Sequence, residues 1–154
     1  MGSEQKLVLI DTNVFVIDLR YQRDPFYSEN RRFLENVAKS DTGFTTLINL
    51  LELCGILSFN LNEAQLRNLW AHFSRKYRVS VLPTPDFEAH CPIVEQKRVL
   101  HHIGSRSSFS DALMIATVEN YLPFVSTMIT WDKEHLQGVF PGAVLTPRDY
   151  LFQG

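Results

Sequence analysis

The sequence of 154 residues is poor in the residues that mark specialised classes of protein. Its two cysteines are too few for a disulfide framework, and seven glycines with seven prolines exclude collagen-like and low-complexity chains. Neither sign of charge is in large excess, because 15 Lys and Arg residues are balanced by 17 Asp and Glu residues. Binding of nucleic acid or of an anionic membrane must therefore use a local patch rather than a field over the whole surface.

Long hydrophobic runs are also absent. No segment approaches the ~18 uncharged apolar residues of a membrane span, and the N-terminus lacks the basic and apolar regions of a signal peptide. We therefore expect a cytoplasmic protein that does not associate with membranes. The hydrophobic content of 45% is enough for one core, which predicts a single domain over residues 1–154. Residues 1–5 and 152–154 are expected to be flexible or left over from cloning.

Short apolar runs alternate with helical patterns along the chain. Residues 6–10 form an apolar run that ends abruptly at Asp11, as expected for a strand buried on both faces of a parallel sheet. Further strands are predicted at 79–82, 124–130 and 143–145. Helices are predicted at 14–19, 28–40 with Ser28 as a possible N-cap, 46–59, 62–77, 86–103 and 108–121. This alternation predicts an α/β fold with a central, mainly parallel sheet and a ligand site beyond the C-terminal strand ends.

Four acidic residues stand where such a fold could bring them together: Asp11, Glu52, Asp111 and Asp132. Three of them also have a purely structural interpretation. Asp11 could cap the helix that follows it, and Asp111 matches the Ser-x-x-Asp capping pattern that begins at Ser108. Asp132 could be a turn residue after a strand. The neighbours of these three residues do not decide between the two interpretations.

Glu52 is harder to explain structurally, because it is the only charged residue between positions 46 and 59. An unpaired buried carboxylate is costly, so it normally becomes neutral or finds a cation. The position of Glu52 therefore predicts a partner from outside its own helix. Asn49 and Gly55 lie three residues to either side of Glu52 on the same helical face, and Gly55 would leave room there.

Four converging carboxylates would repel one another unless a divalent cation kept them ionised. An oxygen-only ligand set favours Mg²⁺ or Mn²⁺, whereas zinc normally recruits His or Cys. The histidines offer no competing cluster, because the adjacent pair His101 and His102 would diverge on a helix and the others lack ligand spacing. The residues alone leave open whether one ion or two would bind.

Five features follow one another along the chain: LIDTN at 9–13, Glu52 in an apolar helix, FSDALMIA at 109–116, ITWD at 129–132 with KEHL after it, and VLTPRDYL at 144–151. With these features in this order, the chain resembles the PIN-domain nucleases, and within them the VapC-type toxins of bacterial and archaeal toxin–antitoxin pairs. The resemblance covers nearly the whole sequence. The order and spacing of these motifs carry the resemblance, since none is specific alone.

The resemblance implies a Rossmann-like α/β/α sandwich that binds Mg²⁺ or Mn²⁺ and hydrolyses RNA phosphodiester bonds. It places the catalytic and metal-binding quartet on Asp11, Glu52, Asp111 and Asp132, with supporting polar residues at Asn13 and Thr130. It also implies an RNA substrate, a cognate antitoxin protein and a homodimer. The chain carries more residues between positions 18 and 28 than compact relatives do.

Three other functions remain open from the sequence. The chain could be a housekeeping RNA-processing PIN nuclease, or a PIN-like RNA-binding or scaffold module without catalysis. An aspartyl-phosphate phosphotransferase with Asp11 as nucleophile is disfavoured, because such enzymes usually have Asp-x-Asp where this chain has Asp11, Thr12 and Asn13.

An RNA substrate requires local positive charge near the site. Trp131, beside Asp132, could stack on a base, but packing against the protein is the preferred interpretation. Basic side chains on helices are also commonly no more than a solvated face. The candidate basic groups are Arg20 with Arg23, Arg31 with Arg32, Arg75 and Lys76 with Arg78, and Lys97 and Arg98 with Arg106.

Overall fold

Five parallel strands form one sheet in the computed structural model, which describes residues 5–153. The sheet order is β3-β2-β1-β4-β5, so that β1 lies at the centre between β2 and β4. Leu9 of β1 is in register with Phe44 of β2 on one side and with Met128 of β4 on the other. The strands are β1 (Val8–Ile10), β2 (Gly43–Thr46), β3 (Ser80–Leu82), β4 (Thr127–Ile129) and β5 (Ala143–Leu145).

Helices connect the strands and flank the sheet, which confirms the predicted α/β fold. The helices are α1 (Thr12–Arg20), α2 (Tyr27–Ser40), α3 (Leu47–Leu57), α4 (Glu63–Tyr77), α5 (Gln96–Gly104), α6 (Phe109–Tyr121), α7 (Lys133–Leu136) and α8 (Pro147–Phe152). All four connections between consecutive strands contain at least one helix, which returns the chain to the same edge of the sheet so that the next strand can pair in parallel.

Strand β1 is buried on both faces, as its sequence predicts. Val8 and Ile10 belong to a core cluster with side chains of α1 to α4, whereas Leu9 belongs to a second cluster with α6. All three side chains have no exposed surface. Because successive side chains of a strand point to opposite faces, a continuous apolar run supplies both layers of the core.

Strand β2 was not predicted from the sequence. The pattern of Ser40 to Gly43 indicates only the end of a helix, and α2 does end at Ser40, after which Asp41 takes a left-handed conformation with φ of 54°. Gly43 nevertheless begins the strand. A Cβ atom there would lie 2.5 Å from Cγ1 of Val37, so glycine allows α2 to pack closely on β2.

The predicted helix over 86–103 is wrong for most of its length. Residues 83–95 contain no helix, and α5 begins only at Gln96. Pro83, Pro85 and Pro92 each remove a backbone donor, which disfavours a helix through this segment. The segment is instead held from outside, because Trp70 donates its indole N–H to the carbonyl oxygen of Pro85 over 2.9 Å.

Two smaller expectations also differ from the structure. Ser28 lies inside α2 rather than at its N-cap, which is Phe26, and Asp24 accepts the backbone N–H of Phe26 over 2.8 Å. At the C-terminus, Phe152 is the last residue of α8, not part of a flexible end, because Pro147 and the capping pair Thr146 and Asp149 start a helix there. Residues 1–4 and 154 lie outside the described part of the chain.

No helix among the described residues is long and apolar enough to cross a membrane. The assignment of residues 1–154 to a single domain stays a prediction.

Candidate active site

The candidate site lies at the C-terminal edge of the sheet, around the ends of the central strands. Asp11 directly follows β1 and Thr130 directly follows β4, its neighbour in the sheet. Helix α3, which carries Glu52, starts directly after β2 on the other side of β1. Parallel strands place these three chain segments at one edge, which is the position expected for a ligand site.

The Asp11 carboxylate is at the centre of this arrangement and is only 7% exposed. Its Oδ1 atom accepts the backbone N–H of Thr12 over 2.8 Å, so Asp11 does cap α1, as the structural interpretation expects. Its Oδ2 atom accepts the hydroxyl of Thr130 over 2.8 Å and lies 3.5 Å from the amide nitrogen of Asn13. The Oδ1 atom of Asp11 therefore caps the helix, whereas its Oδ2 atom contacts Thr130 and Asn13.

Burial raises the pKa of Asp11 from 3.8 to about 6. Hydrogen bonds from Thr130 and Thr12 oppose that rise, whereas the negative charges of Glu52 and Asp111 add to it. The ionised form is therefore disfavoured in spite of its donors. Glu52 and Asp111 therefore lie near enough for their charges to act on the Asp11 carboxyl.

Thr130 and Asn13 support the carboxylate. The Thr130 hydroxyl donates to Asp11 and accepts both the side-chain amide of Asn13 over 3.0 Å and the backbone N–H of Asp132 over 3.0 Å. Asn13 in turn accepts the backbone N–H of Trp131 over 3.2 Å. The two residues therefore join the start of α1 to the loop after β4.

Sequence reasoning placed Asn49 beside Glu52 but did not assign it to the site. Asn49 is 3% exposed, and its side-chain amide donates to Thr12 over 3.0 Å and to Oδ1 of Asp11 over 3.3 Å. Its oxygen accepts the Thr46 hydroxyl over 2.7 Å in a capping box at the start of α3. The signal available in the sequence was a Thr-x-x-Asn pair at the start of an apolar helix.

Glu52 is half-buried and forms no ion pair within residues 5–153. Its predicted partner from outside the helix is therefore not a side chain of the described chain. Gly55 is exposed, and a Cβ atom there would have open space around it, so glycine is not required to make room beside Glu52.

Asp111 lies in the first turn of α6, where its backbone N–H donates to the hydroxyl of Ser108 over 3.2 Å. This half of the capping interpretation is correct. The carboxylate itself points elsewhere, because its Oδ2 atom lies 3.3 Å from Nε2 of His135. Nothing in the sequence indicated this contact, since His135 lies in α7 and 24 positions away from Asp111.

Asp132 joins the network through its backbone. Its N–H donates to Thr130, but its own side chain is exposed and makes no capping hydrogen bond at the start of α7. Even if Asp132 is a turn residue, its carboxylate therefore does not stabilise the turn.

The four carboxylates are the type of ligand that a hard divalent cation prefers, and a nearby positive charge would stabilise the ionised form of Asp11. Their spacing is wider than shared ligation requires. Within residues 5–153, no group of three or more His, Cys, Asp or Glu side chains is close enough to hold one metal ion. Metal binding by the quartet therefore stays a prediction.

Trp131 packs rather than standing free. Its ring stacks on Phe26 at 4.5 Å between centroids, and its indole N–H donates to buried Asn30 over 2.8 Å.

The candidate basic residues differ in whether they form salt bridges. Salt bridges within the described chain involve Arg31, Arg78, Lys97 and Arg98, but none involves Arg20, Arg23, Arg32, Arg75, Lys76 or Arg106.

Comparisons with known proteins agree with this architecture. No protein-family model matches the sequence, and no curated protein matches it. Among solved structures, the chain is similar to one of FitAB bound to the IR36 DNA fragment, with a TM-score of 0.56, 16% identity, and 92% of this chain and 95% of the other covered. A structure of FitAcB from Neisseria gonorrhoeae matches with a TM-score of 0.57, 18% identity, and 92% and 99% covered.

The chain has a PIN-domain fold. At this level of identity the likeness concerns the fold, and the PIN-like sandwich predicted from the sequence motifs is confirmed. In this PIN fold, the acidic side chains of the candidate site lie at the C-terminal edge of the sheet, with Asp11 at the end of the central strand.

Proposed function

We propose that this PIN-fold protein is a metal-dependent endoribonuclease that acts as the toxin of a VapBC-type toxin–antitoxin pair. The observation that carries the proposal is the buried carboxylate of Asp11, whose pKa is raised to about 6 by burial, with a smaller contribution from the charges of Glu52 and Asp111. A fold without use for that charge would gain stability by removing it. Residues that cost stability in this way are typical of functional sites.

Asp11, Glu52 and Asp111 would hold Mg²⁺ or Mn²⁺, with Asp132 as the fourth carboxylate, and to do so their side chains would have to move closer together than they are in the structure. When bound, such an ion supplies an activated water molecule for attack on a phosphodiester. The chain itself orients the ligands. Thr130, Asn13 and Asn49 donate or relay hydrogen bonds that set the direction of the Asp11 carboxylate. Mutation of residues that orient metal ligands in this way typically lowers metal affinity or activity 10- to 100-fold.

The toxin role and the antitoxin partner rest on the sequence motifs, and the likeness of fold to the FitAB and FitAcB structures supports them. The homodimer rests on the sequence motifs alone. The proposal includes a cytoplasmic location for the protein, because its proposed substrate is cellular RNA. Production of the protein alone should arrest growth, and production with the adjacent antitoxin should restore it. A housekeeping nuclease would not arrest growth.

The decisive experiment is cleavage of single-stranded RNA by protein free of any partner. We expect cleavage with Mg²⁺ or Mn²⁺, none with chelator, and a loss of at least about 100-fold for Asp111→Asn, because an acidic ligand is removed. Glu119→Gln is the matched control, since it neutralises a carboxylate on the same helix that pairs with Arg98 and His102 instead.

Equal loss of activity in both variants would contradict the proposed role of Asp111. Binding of RNA without any cleavage in the presence of metal would instead favour the non-catalytic module. Thermal unfolding of both variants verifies that each is folded.

A further inference from the structure

The loop between α1 and α2 forms a basic cleft outside the acidic site. The cleft measures about 500 Å³ and is lined by residues 20–24, of which Arg20, Tyr21 and Arg23 are exposed. The acidic network does not use these side chains.

The charges of this cleft are available to a ligand. Neither Arg20 nor Arg23 forms a salt bridge within the described chain, whereas nearby Arg31 is neutralised by Asp18 and Glu35. The one carboxylate that lines the cleft belongs to Asp24, and its Oδ1 atom is already engaged by the backbone N–H of Phe26. Two guanidinium groups that line one cleft and have no salt-bridge partner among the described residues suit a phosphodiester backbone.

In the sequence, an aromatic residue lies between the two arginines. Tyr21 is 47% exposed, and the guanidinium of Arg20 lies over its ring at 5.6 Å from the centroid. Proteins that bind single-stranded nucleic acid combine such exposed rings, on which bases stack, with a basic track for the phosphates. The composition of the cleft therefore matches a single strand better than a duplex or a protein surface.

The structure also ties this loop to the acidic site. At its far end, Phe26 stacks on Trp131, the residue between Thr130 and Asp132. At its near end the loop follows α1, whose nine residues span ~13 Å from Asp11. A single-stranded RNA bound at Asp11 therefore needs only a few nucleotides to reach the cleft.

We propose that residues 20–26 form an accessory binding element for single-stranded RNA, in which Arg20 and Arg23 contact phosphates and Tyr21 stacks on a base. This inference rests on the proposed ribonuclease function and adds to it a site that holds the substrate away from the cleaved bond. The element would raise affinity for longer RNA without taking part in the chemistry.

The test is the affinity of the full chain for a labelled single-stranded RNA, measured by fluorescence anisotropy in chelator at several salt concentrations. We expect Arg20→Ala with Arg23→Ala to weaken binding about tenfold at low salt. The slope of log affinity against log salt should fall by about 1.4, because two phosphate contacts are lost. Arg75→Ala with Lys76→Ala is the matched control, since it removes the same charge from α4 and should leave the slope unchanged.

The RNA affinity of Tyr21 variants is a second measurement, which does not depend on a change of charge. Tyr21→Leu should weaken binding about fivefold or more with the salt slope unchanged, because stacking is lost but no phosphate contact is. Tyr21→Phe should restore the affinity. The Tyr21→Leu effect should disappear when the RNA carries abasic spacers in place of bases.

Equal effects of the two charge variants would overturn the inference while leaving the proposed nuclease intact, provided that wild type still cleaves RNA with metal. Wild type that binds RNA through Arg20 and Arg23 but never cleaves it would support the inference and contradict the nuclease. Loss of a purified antitoxin's binding, with RNA affinity unchanged, would show a protein interface and overturn the inference. Wild type with no affinity for RNA would contradict both proposals.

Discussion

The Thr130 hydroxyl donates to Oδ2 of Asp11 over 2.8 Å, across the ends of two neighbouring parallel strands. Both side chains are buried, and they are 119 positions apart in the sequence. Because the same hydroxyl accepts the N–H of Asp132, one atom links two of the four acidic residues. The candidate site therefore depends on a neutral residue as much as on its carboxylates.

Thr130→Val removes this hydroxyl while keeping the shape of the side chain. We expect cleavage to fall about 10- to 100-fold, because residues that orient metal ligands have effects of that size. The pKa of Asp11 should also rise above about 6, since its strongest opposing donor is lost. Thr130→Ser retains the hydroxyl and should keep most of the activity. The pH–rate profiles of the three proteins give the comparison, and equal profiles would refute the role of Thr130.

The raised pKa of Asp11 predicts how pH affects stability without metal. Its carboxyl binds a proton more tightly when folded, with a pKa of about 6, than when unfolded, with a value near 3.8. Its contribution to the free energy of unfolding should therefore fall as the pH rises from about 4 to about 6, by up to about 3 kcal/mol, and stay low above that range. Urea unfolding in chelator at a series of pH values measures the trend.

Metal addition should reverse this loss. We expect Mn²⁺ to raise the midpoint of thermal unfolding more near pH 7.5 than near pH 5, because ligands must be deprotonated to bind metal. Asp11→Asn should abolish most of the increase. A similar increase at both pH values, or in Asp11→Asn, would mean that the ion binds elsewhere.

Asn49→Asp tests the residue that the sequence did not assign to the site. One carboxylate oxygen can still accept from Thr46, but the other would replace an amide donor 3.3 Å from Asp11 with a negative charge. We expect the pKa of Asp11 to rise and the acidic limb of the pH–rate profile to move to higher pH. Asn68→Asp places the same charge on the exposed face of α4 and should leave the profile where it is.

Tyr77→Phe tests a buried contact outside the site. The Tyr77 hydroxyl donates to Oδ2 of Asp18 over 2.7 Å, and Asp18 is only 7% exposed. We expect a loss of about 1 to 3 kcal/mol of unfolding free energy, because the buried carboxylate loses a donor. RNA cleavage should be unchanged. Tyr150→Phe is the control, since that hydroxyl makes no hydrogen bond within the described residues, and a comparable loss there would contradict the explanation.

Local signals in the sequence predicted much of the fold. The apolar run that ends at Asp11 is β1, the helix predicted over 62–77 is α4, and Ser108 caps the start of α6 as predicted. These features depend on neighbours within a few positions, so they can be read without the tertiary structure. The predicted helix over 86–103 was wrong, because Pro92 and the two prolines just before the segment disfavour a helix through residues 83–95.

The sequence by itself determined which acidic residues stand at the ends of strands and at the starts of helices, because hydrophobic runs and capping pairs are local. Only the tertiary structure decided that Asn49 bonds to Asp11 and that His135 meets Asp111. These contacts join α3 to β1 and α7 to α6, and they exist only once the sheet order places β1 between β2 and β4. That order follows from how the two faces of the sheet are packed with helices, which depends on residues far apart in the chain.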